Sequence, residues 1–202
     1  MSESLRQRKQ EKKKKEILQV AASIFAEKGY EKTTMEDVAS QLLMTKGSMY
    51  YYFSNKEEML FESQMLILEP SIEKISNIKA SSLPPVEKIT QLFEEFVLFE
   101  ISEKTAFSLA GKLEQIYSEE HFQKIVQKRD EYNQIFDSLL QEGIENNEFF
   151  NINVKMARML LLGALNSIQS WYKPSGKMTP KEIAEMSADY LTRMLIFNPV
   201  KQ

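Results

Sequence analysis

The side chains of this chain are poorly suited to covalent or metal chemistry and well suited to holding a polyanion. It has one histidine, His121, and no cysteine, which excludes a thiolate nucleophile, most zinc ligand sets and any second imidazole. His121 falls at a helix start and is expected in solvent. The carboxylate pairs Glu57-Glu58, Glu94-Glu95 and Glu119-Glu120 are adjacent on helical patterns, so their side chains diverge and read as solvated faces rather than acid–base pairs. The six glycines are scattered and form no phosphate-cradling run. No catalytic residue, metal site or cofactor is expected, and the chain does not read as an enzyme.

What the sequence concentrates lies between Thr33 and Phe53, TTMEDVASQLLMTKGSMYYYF. Lys46, Gly47, Ser48, Tyr50, Tyr51 and Tyr52 fill barely two helical turns, and only Met49 and Phe53, four residues apart, look like anchors to a core. Two short helices must position this cluster. The first starts at Thr34, whose hydroxyl can cap free N–H groups, with Glu36 and Asp37 on the positive end of the helix. Met35, Val38, Ala39 and Leu42 then share one face. Thr45 caps the second helix. Two short helices joined by a tight turn match a helix-turn-helix, whose second helix sets its N-terminal residues against base edges in the major groove.

The charge distribution agrees. The chain carries a formal charge of −3 over 202 residues, but residues 1–60 hold 11 Lys and Arg against 9 Asp and Glu, which leaves 15 against 20 for the rest. The basic end is the end that meets a polyanion. Residues 1–15 alone carry Arg6, Arg8, Lys9 and Lys12 to Lys15, read as a frayed, solvated arm or as a further phosphate contact. No apolar run approaches the roughly 20 residues that cross a bilayer, the N-terminus lacks the pattern of a secretory signal, and a cytoplasmic protein is expected.

Around the cluster, every periodic stretch is helical, so the fold class is all-α. Ile17, Val20, Ala21, Ile24 and Phe25 mark a helix under the pair, closed by Lys28-Gly29 in the manner of a glycine cap. Ser54 or Asn55 caps a long helix from Lys56 to about Ile78, with Lys56 placed to meet a phosphate and Pro70 bending it. Pro84-Pro85 starts a helix to about Ile101. Further helices are expected over Thr105–Tyr117, Glu119–Asn146, Val154–Tyr172 and Lys181–Phe197. Met159 to Leu165 is apolar all round and must be covered on both sides. The last two helices are those a two-fold homodimer would pack against their copies; the alternative is that they only finish the monomer core. Arg129 falls in an apolar stripe, either snorkelling to water or lining a cavity, and Asn166 interrupts a greasy helix.

The segment TTMEDVASQLLMTKGSMYYYFSNKEEML resembles the DNA-binding segment of TetR-family transcriptional regulators, and Lys15 to Leu60 carry the match. The position that is usually glycine in the turn is Leu43 here, so either Leu43 is strained or the turn closes by a more helical route. The resemblance implies an N-terminal three-helix DNA-binding head, residues 1–55 with a basic arm, and a larger effector-binding and dimerisation body, residues 56–202. By the family's pattern Lys46, Gly47, Ser48 and Tyr51 face base edges, Thr34, Tyr50, Tyr52 and Lys56 hold the backbone, and Thr45 caps the reading helix within that surface. A second string, LLGALNSIQSWYKPSGKMTPKEIAEM, resembles the C-terminal region of a TetR subgroup that includes regulators of fatty-acid and sterol side-chain breakdown, several of which respond to acyl-CoA thioesters. The implied protein is a homodimeric repressor that leaves a pseudo-palindromic operator when a small amphipathic effector, such as an acyl-CoA, binds. The pocket is expected among Phe93, Phe96, Tyr132, Phe136 and Leu162, with Arg129 and Asn166 at its polar end. A drug-responsive regulator of efflux and a helical adaptor protein are the other readings.

Overall fold

The computed structural model describes residues 4–102 and 113–196, and every regular element among them is a helix. They are α1 (Leu5–Lys28), α2 (Met35–Gln41), α3 (Lys46–Tyr52), α4 (Lys56–Ala80), α5 (Pro85–Ser102), α6 (Leu113–Ile116), α7 (Glu119–Glu145), α8 (Val154–Asn166), α9 (Ile168–Trp171) and α10 (Pro180–Ile196). The helix expected over Thr105–Tyr117 lies mostly outside the described residues. By packing, the chain divides into two compact units, Met1–Pro70 with Lys104–Gln127, and Ser71–Glu103 with Lys128–Gln202. The division falls at Pro70, whereas the sequence places its functional boundary after residue 55. Helix α4 runs through Pro70 unbroken.

In the first unit the basic arm is a correction to the sequence reading, because residues 5–15 are the opening turns of α1. Ser4 supplies the reason. Its hydroxyl accepts from the Gln7 N–H at 3.2 Å while the Gln7 side chain accepts from the Ser4 N–H at 2.9 Å, a complete capping box. Behind it, a run of Lys, Arg, Gln and Glu has high helix propensity. At the other end Gly29 takes φ 81° and its N–H caps the Phe25 carbonyl at 2.9 Å. Ile17, Leu18, Ala21 and Phe25 of α1 bury against Met35, Val38 and Ala39 of α2, Met49 of α3 and Phe53.

In the second unit α5 carries Ile89, Leu92, Phe93 and Val97 into a core shared with Phe136, Leu139 and Leu140 of α7, Leu161 and Leu165 of α8, and Ile183, Ala184, Ala188 and Leu195 of α10. At the end of α7 a Cβ on Gly143 would sit 2.1 Å from the Phe149 ring, which is how the turn at Asn147, φ 59°, can fold buried Phe149 back onto the helix. The single helix expected over Val154–Tyr172 is two. The Ser167 hydroxyl donates to the Ala164 carbonyl at 2.7 Å and Ser170 to the Ser167 carbonyl at 2.6 Å. Ser167, between the two helices, keeps helical angles, φ −66° and ψ −20°, and its N–H still bonds to the Gly163 carbonyl at 3.2 Å, so the interruption between α8 and α9 is one residue long.

Candidate nucleic-acid interface and effector core

The helix-turn-helix is built by two caps and two anchors. Thr34 and Asp37 form a capping box on α2, with the Asp37 N–H reaching the Thr34 hydroxyl at 3.1 Å and the Thr34 N–H the Asp37 carboxylate at 2.8 Å. Hydrogen bonds from Thr34 and from Lys28, 3.0 Å away, hold the Asp37 carboxyl down at about 2. The turn closes through the left-handed option: Leu43 has φ 54°, its N–H bonds to the Ser40 carbonyl at 3.1 Å, and the Met44 N–H bonds to the Ala39 carbonyl at 2.8 Å. Its side chain is 97% exposed, so no packing offsets the strain. Thr45 then caps α3, accepting from the Ser48 N–H at 3.2 Å.

Only Met49 of α3 is buried, joined by Phe53 just beyond its end. Thr45, Lys46, Gly47, Ser48, Tyr50 and Tyr51 are exposed and Tyr52 is half-buried, edge-on to Tyr51 at 5.1 Å. An ordinary amphipathic helix buries a stripe; this one is held at Met49 and Phe53, with Tyr52 packed at the core's edge, and offers the rest of its surface. Thr45, Gly47, Ser48, Tyr51 and Tyr52 line an open groove of about 730 Å³ together with Leu43, Met44 and Lys13 of α1. Lys13 belongs to the basic run and Leu43 to the turn that the sequence marks, but nothing in the spacing shows that α1 passes beside that turn.

Two lysines in this surface already have partners. Lys46 forms an ion pair with Glu36, which holds the Glu36 carboxyl below and the Lys46 ammonium above their ordinary values. Lys56 donates to the Tyr30 carbonyl at 2.8 Å and lies 4.1 Å over the Tyr30 ring, so it ties the start of α4 to the loop before α2. Thr34 is exposed at the cap. Elsewhere in this unit, His121 corrects its expectation. It stacks on Phe61 at 4.0 Å and bonds to Glu57 at 2.7 Å. Burial pushes the Glu57 carboxyl up, but donors from Ser118 and His121 outweigh it and hold it below the usual range. Glu57 is therefore not part of a solvated face.

In the second unit Phe93 and Phe136 are fully buried with ring centroids 6.0 Å apart, and Phe96 meets Tyr132 edge-on at 6.3 Å. Leu162 packs half-buried against this cluster, and Arg129 is half-buried. Asn166 is not with them. It is exposed at the end of α8, because Leu161 and Leu165 take the inward positions there. The polar groups that do lie inside were missed. Glu100 is 1% exposed, and the buried amide nitrogen of Gln169 on α9 lies beside its carboxylate without reaching ordinary hydrogen-bond geometry. Burial raises the Glu100 carboxyl to about 7, with Gln169 partly opposing, and burial followed by the Glu100 charge pushes the Tyr132 phenol up. The sequence held a signal: Glu100 continues the stripe of Phe93, Phe96 and Val97 at helical spacing.

Comparison with known proteins accounts for both units. Residues 17–62 match the model of the bacterial regulatory proteins of the tetR family, and residues 82–195 match the tetracyclin repressor-like C-terminal domain. The HTH-type transcriptional repressor KstR2 of Mycobacterium tuberculosis is 26% identical over 172 residues, 84% of this chain and 86% of that protein. The fatty acid metabolism regulator protein of Bacillus subtilis is 26% identical over 159 residues, covering 77% of this chain and 81% of that one. The crystal structure of AibR in complex with isovaleryl coenzyme A and operator DNA shares the fold at a TM-score of 0.74, with 22% identity over 91% of this chain and 97% of that one. The chain belongs to the TetR family of bacterial regulatory proteins and is a DNA-binding regulator of transcription.

Proposed function

We propose that the protein is a homodimeric repressor whose α3 reads a pseudo-palindromic operator and which is released by an amphipathic effector, an acyl-CoA. The observation that carries this reading is α3 itself, a helix anchored by Met49 and Phe53 with Tyr52 at the edge of the core, and with Lys46, Gly47, Ser48, Tyr50 and Tyr51 turned outward. Lys46, Gly47, Ser48 and Tyr51 contact base edges, and Thr34, Thr45, Tyr50, Tyr52 and Lys56 hold the sugar-phosphate backbone. Lys46 exchanges Glu36 for DNA on binding. The dimer forms through α8, α9 and α10, where Met159, Leu160, Tyr190 and Met194 are more than half exposed in the single chain. The protein works in the cytoplasm, where its operator is.

The effector occupies the core around Phe93, Phe96, Tyr132, Phe136 and Leu162. The ligand in the AibR complex and the name of the fatty acid regulator support an acyl-CoA. So does Glu100: an acyl-CoA keeps its charge on the nucleotide and presents a neutral acyl group, whereas a free fatty acid would bring a second carboxylate to a buried one. The test is release of a preformed complex between the protein and a duplex from its own upstream region. Acyl-CoAs of matching chain length should dissociate it, with a coupling of about 1 to 3 kcal/mol, and should raise the melting temperature. If free fatty acids or cationic dyes do both and acyl-CoAs do neither, the acyl-CoA reading is wrong.

A further inference from the structure

The turn of the helix-turn-helix is a run of three large apolar residues that the fold does not use alike. Leu42 and Met44 are half-buried against the core of the first unit, whereas Leu43 between them is 97% exposed. Its φ of 54° is fixed by the Leu43 N–H on the Ser40 carbonyl and the Met44 N–H on the Ala39 carbonyl. Glycine adopts that left-handed conformation freely; a leucine is strained in it. Leu43 also lines the open groove that Gly47, Ser48 and Tyr51 of α3 share with Lys13 of α1, a lining that includes a cation and hydroxyls and no carboxylate. The Lys13 ammonium stands 3.1 Å from Glu16 in a solvated pair that a phosphate can replace. An apolar tip beside a cation, in a groove continuous with the exposed face of α3, matches one strand of a duplex, which offers phosphate oxygens and carbon faces side by side.

We propose that Leu43 is an operator contact: on binding, its side chain packs against the carbon face of the strand that enters this groove, a thymine methyl or a deoxyribose, with the Lys13 ammonium on a phosphate of that strand. The placement of DNA here rests on the reading of α3 above; the choice of Leu43 follows from its exposure, its backbone and its neighbours in the groove. A leucine at this position then weakens the free protein and strengthens the complex, and substitution separates the two effects.

The full chain should be titrated with the duplex from its own upstream region and with a scrambled duplex, over a salt series, as wild type, Leu43→Ala, Leu43→Gly and Leu43→Met. Leu43→Ala and Leu43→Gly are expected to bind the upstream duplex roughly tenfold more weakly, the scale of the apolar area that a leucine side chain withdraws from water. The salt slope should not change, because no charge is removed. Leu43→Met keeps the apolar reach and should recover most of the loss. Leu43→Gly should melt above wild type, so that its weaker binding is not a loss of fold. Replacing each thymine of the upstream duplex in turn by deoxyuridine names the contact: a loss in wild type that is absent in Leu43→Ala assigns the thymine methyl, and no such position assigns the deoxyribose. The proposal is overturned if Leu43→Ala binds within about twofold of wild type, including the case in which Leu43→Gly alone is weakened, which would make the effect one of backbone stiffness. It is also overturned if Leu43→Met binds as weakly as Leu43→Ala. If wild type binds both duplexes alike, the α3 reading fails and the Leu43 contact is judged by Leu43→Ala against either duplex; if it binds neither, both fall.

Discussion

Gly47 separates reading from folding at a single residue. A Cβ built there meets nothing within 4 Å, so Gly47→Ala should keep the fold and, by helix propensity, gain about 1 kcal/mol of stability. The same methyl would stand between α3 and the base edges, so operator affinity should fall at least tenfold, about 1.4 kcal/mol. Paired melting and DNA titrations check this, and a variant that melts higher yet binds as before would remove Gly47 from the interface. Leu43 is the reverse case. With φ 54° and a side chain in solvent, Leu43→Gly should stabilise by about 1 kcal/mol in urea unfolding. Glu100 gives the pH dependence. Its folded value near 7 lies above the ordinary 4.5, so the folded chain holds the extra proton and stability falls as pH rises from about 4.5 to about 7. The drop amounts to about 3 kcal/mol. Glu100→Gln should lack it; equal slopes in the two proteins between pH 5 and 8 would show that Glu100 titrates normally. Asp37, held at about 2, acts in the opposite sense and only in acid, where its capping bonds are lost. At this scale the caps at Thr34 and Thr45 and the anchors Met49 and Phe53 were legible, because a cap acts over three residues of sequence. The Lys46–Glu36 and His121–Glu57 pairs were not, since each joins separate helices.

At the scale of elements, helix positions followed from hydrophobic period and punctuation. Pro85 begins α5, where its missing N–H costs no helical bond, and Gly29 closes α1, where the lack of a Cβ permits φ 81°. Two boundaries did not follow. Residues 5–15 carry no apolar period, so the capping box at Ser4 and the helix propensity of the charged run are the local signs that α1 begins there. The interruption at Ser167 is a single residue that keeps helical angles, and no period or punctuation in the sequence marks it. The all-apolar run in α8 points to the element that needs a partner: Leu161 and Leu165 are inside the chain, while Met156, Met159 and Leu160 stay 55–64% exposed. Tyr190 and Met194 of α10 are exposed to the same degree. Placing charge on both helices with Leu160→Glu and Met194→Glu should give a folded monomer in sedimentation, with normal helical content and weak operator binding. A variant that remains a dimer would move the interface elsewhere.

For the molecule as a whole, the division into two compact units separates chemistry as well as packing. The first unit holds the exposed α3 and its basic approach from α1; the second holds an aromatic and aliphatic core with a buried acid. The sequence showed the first because DNA recognition is local, carried by side chains on one short helix. It showed the second only as apolar stripes, because a ligand core is assembled from α5, α7, α8 and α9, and the spacing within each helix does not say which polar residue faces the others. The central claim is that α3 reads sequence. It is tested by titrating wild type, Lys46→Ala and Lys56→Ala against a duplex from the upstream region and a scrambled duplex across a salt series. Wild type should prefer its own duplex by a factor of about 10³ or more. Lys46→Ala should lose about 1 to 3 kcal/mol of that preference. Lys56→Ala should weaken both duplexes alike and lower the salt slope by about one. Equal affinity of wild type for the two duplexes, or equal losses on both for Lys46→Ala, would contradict the account.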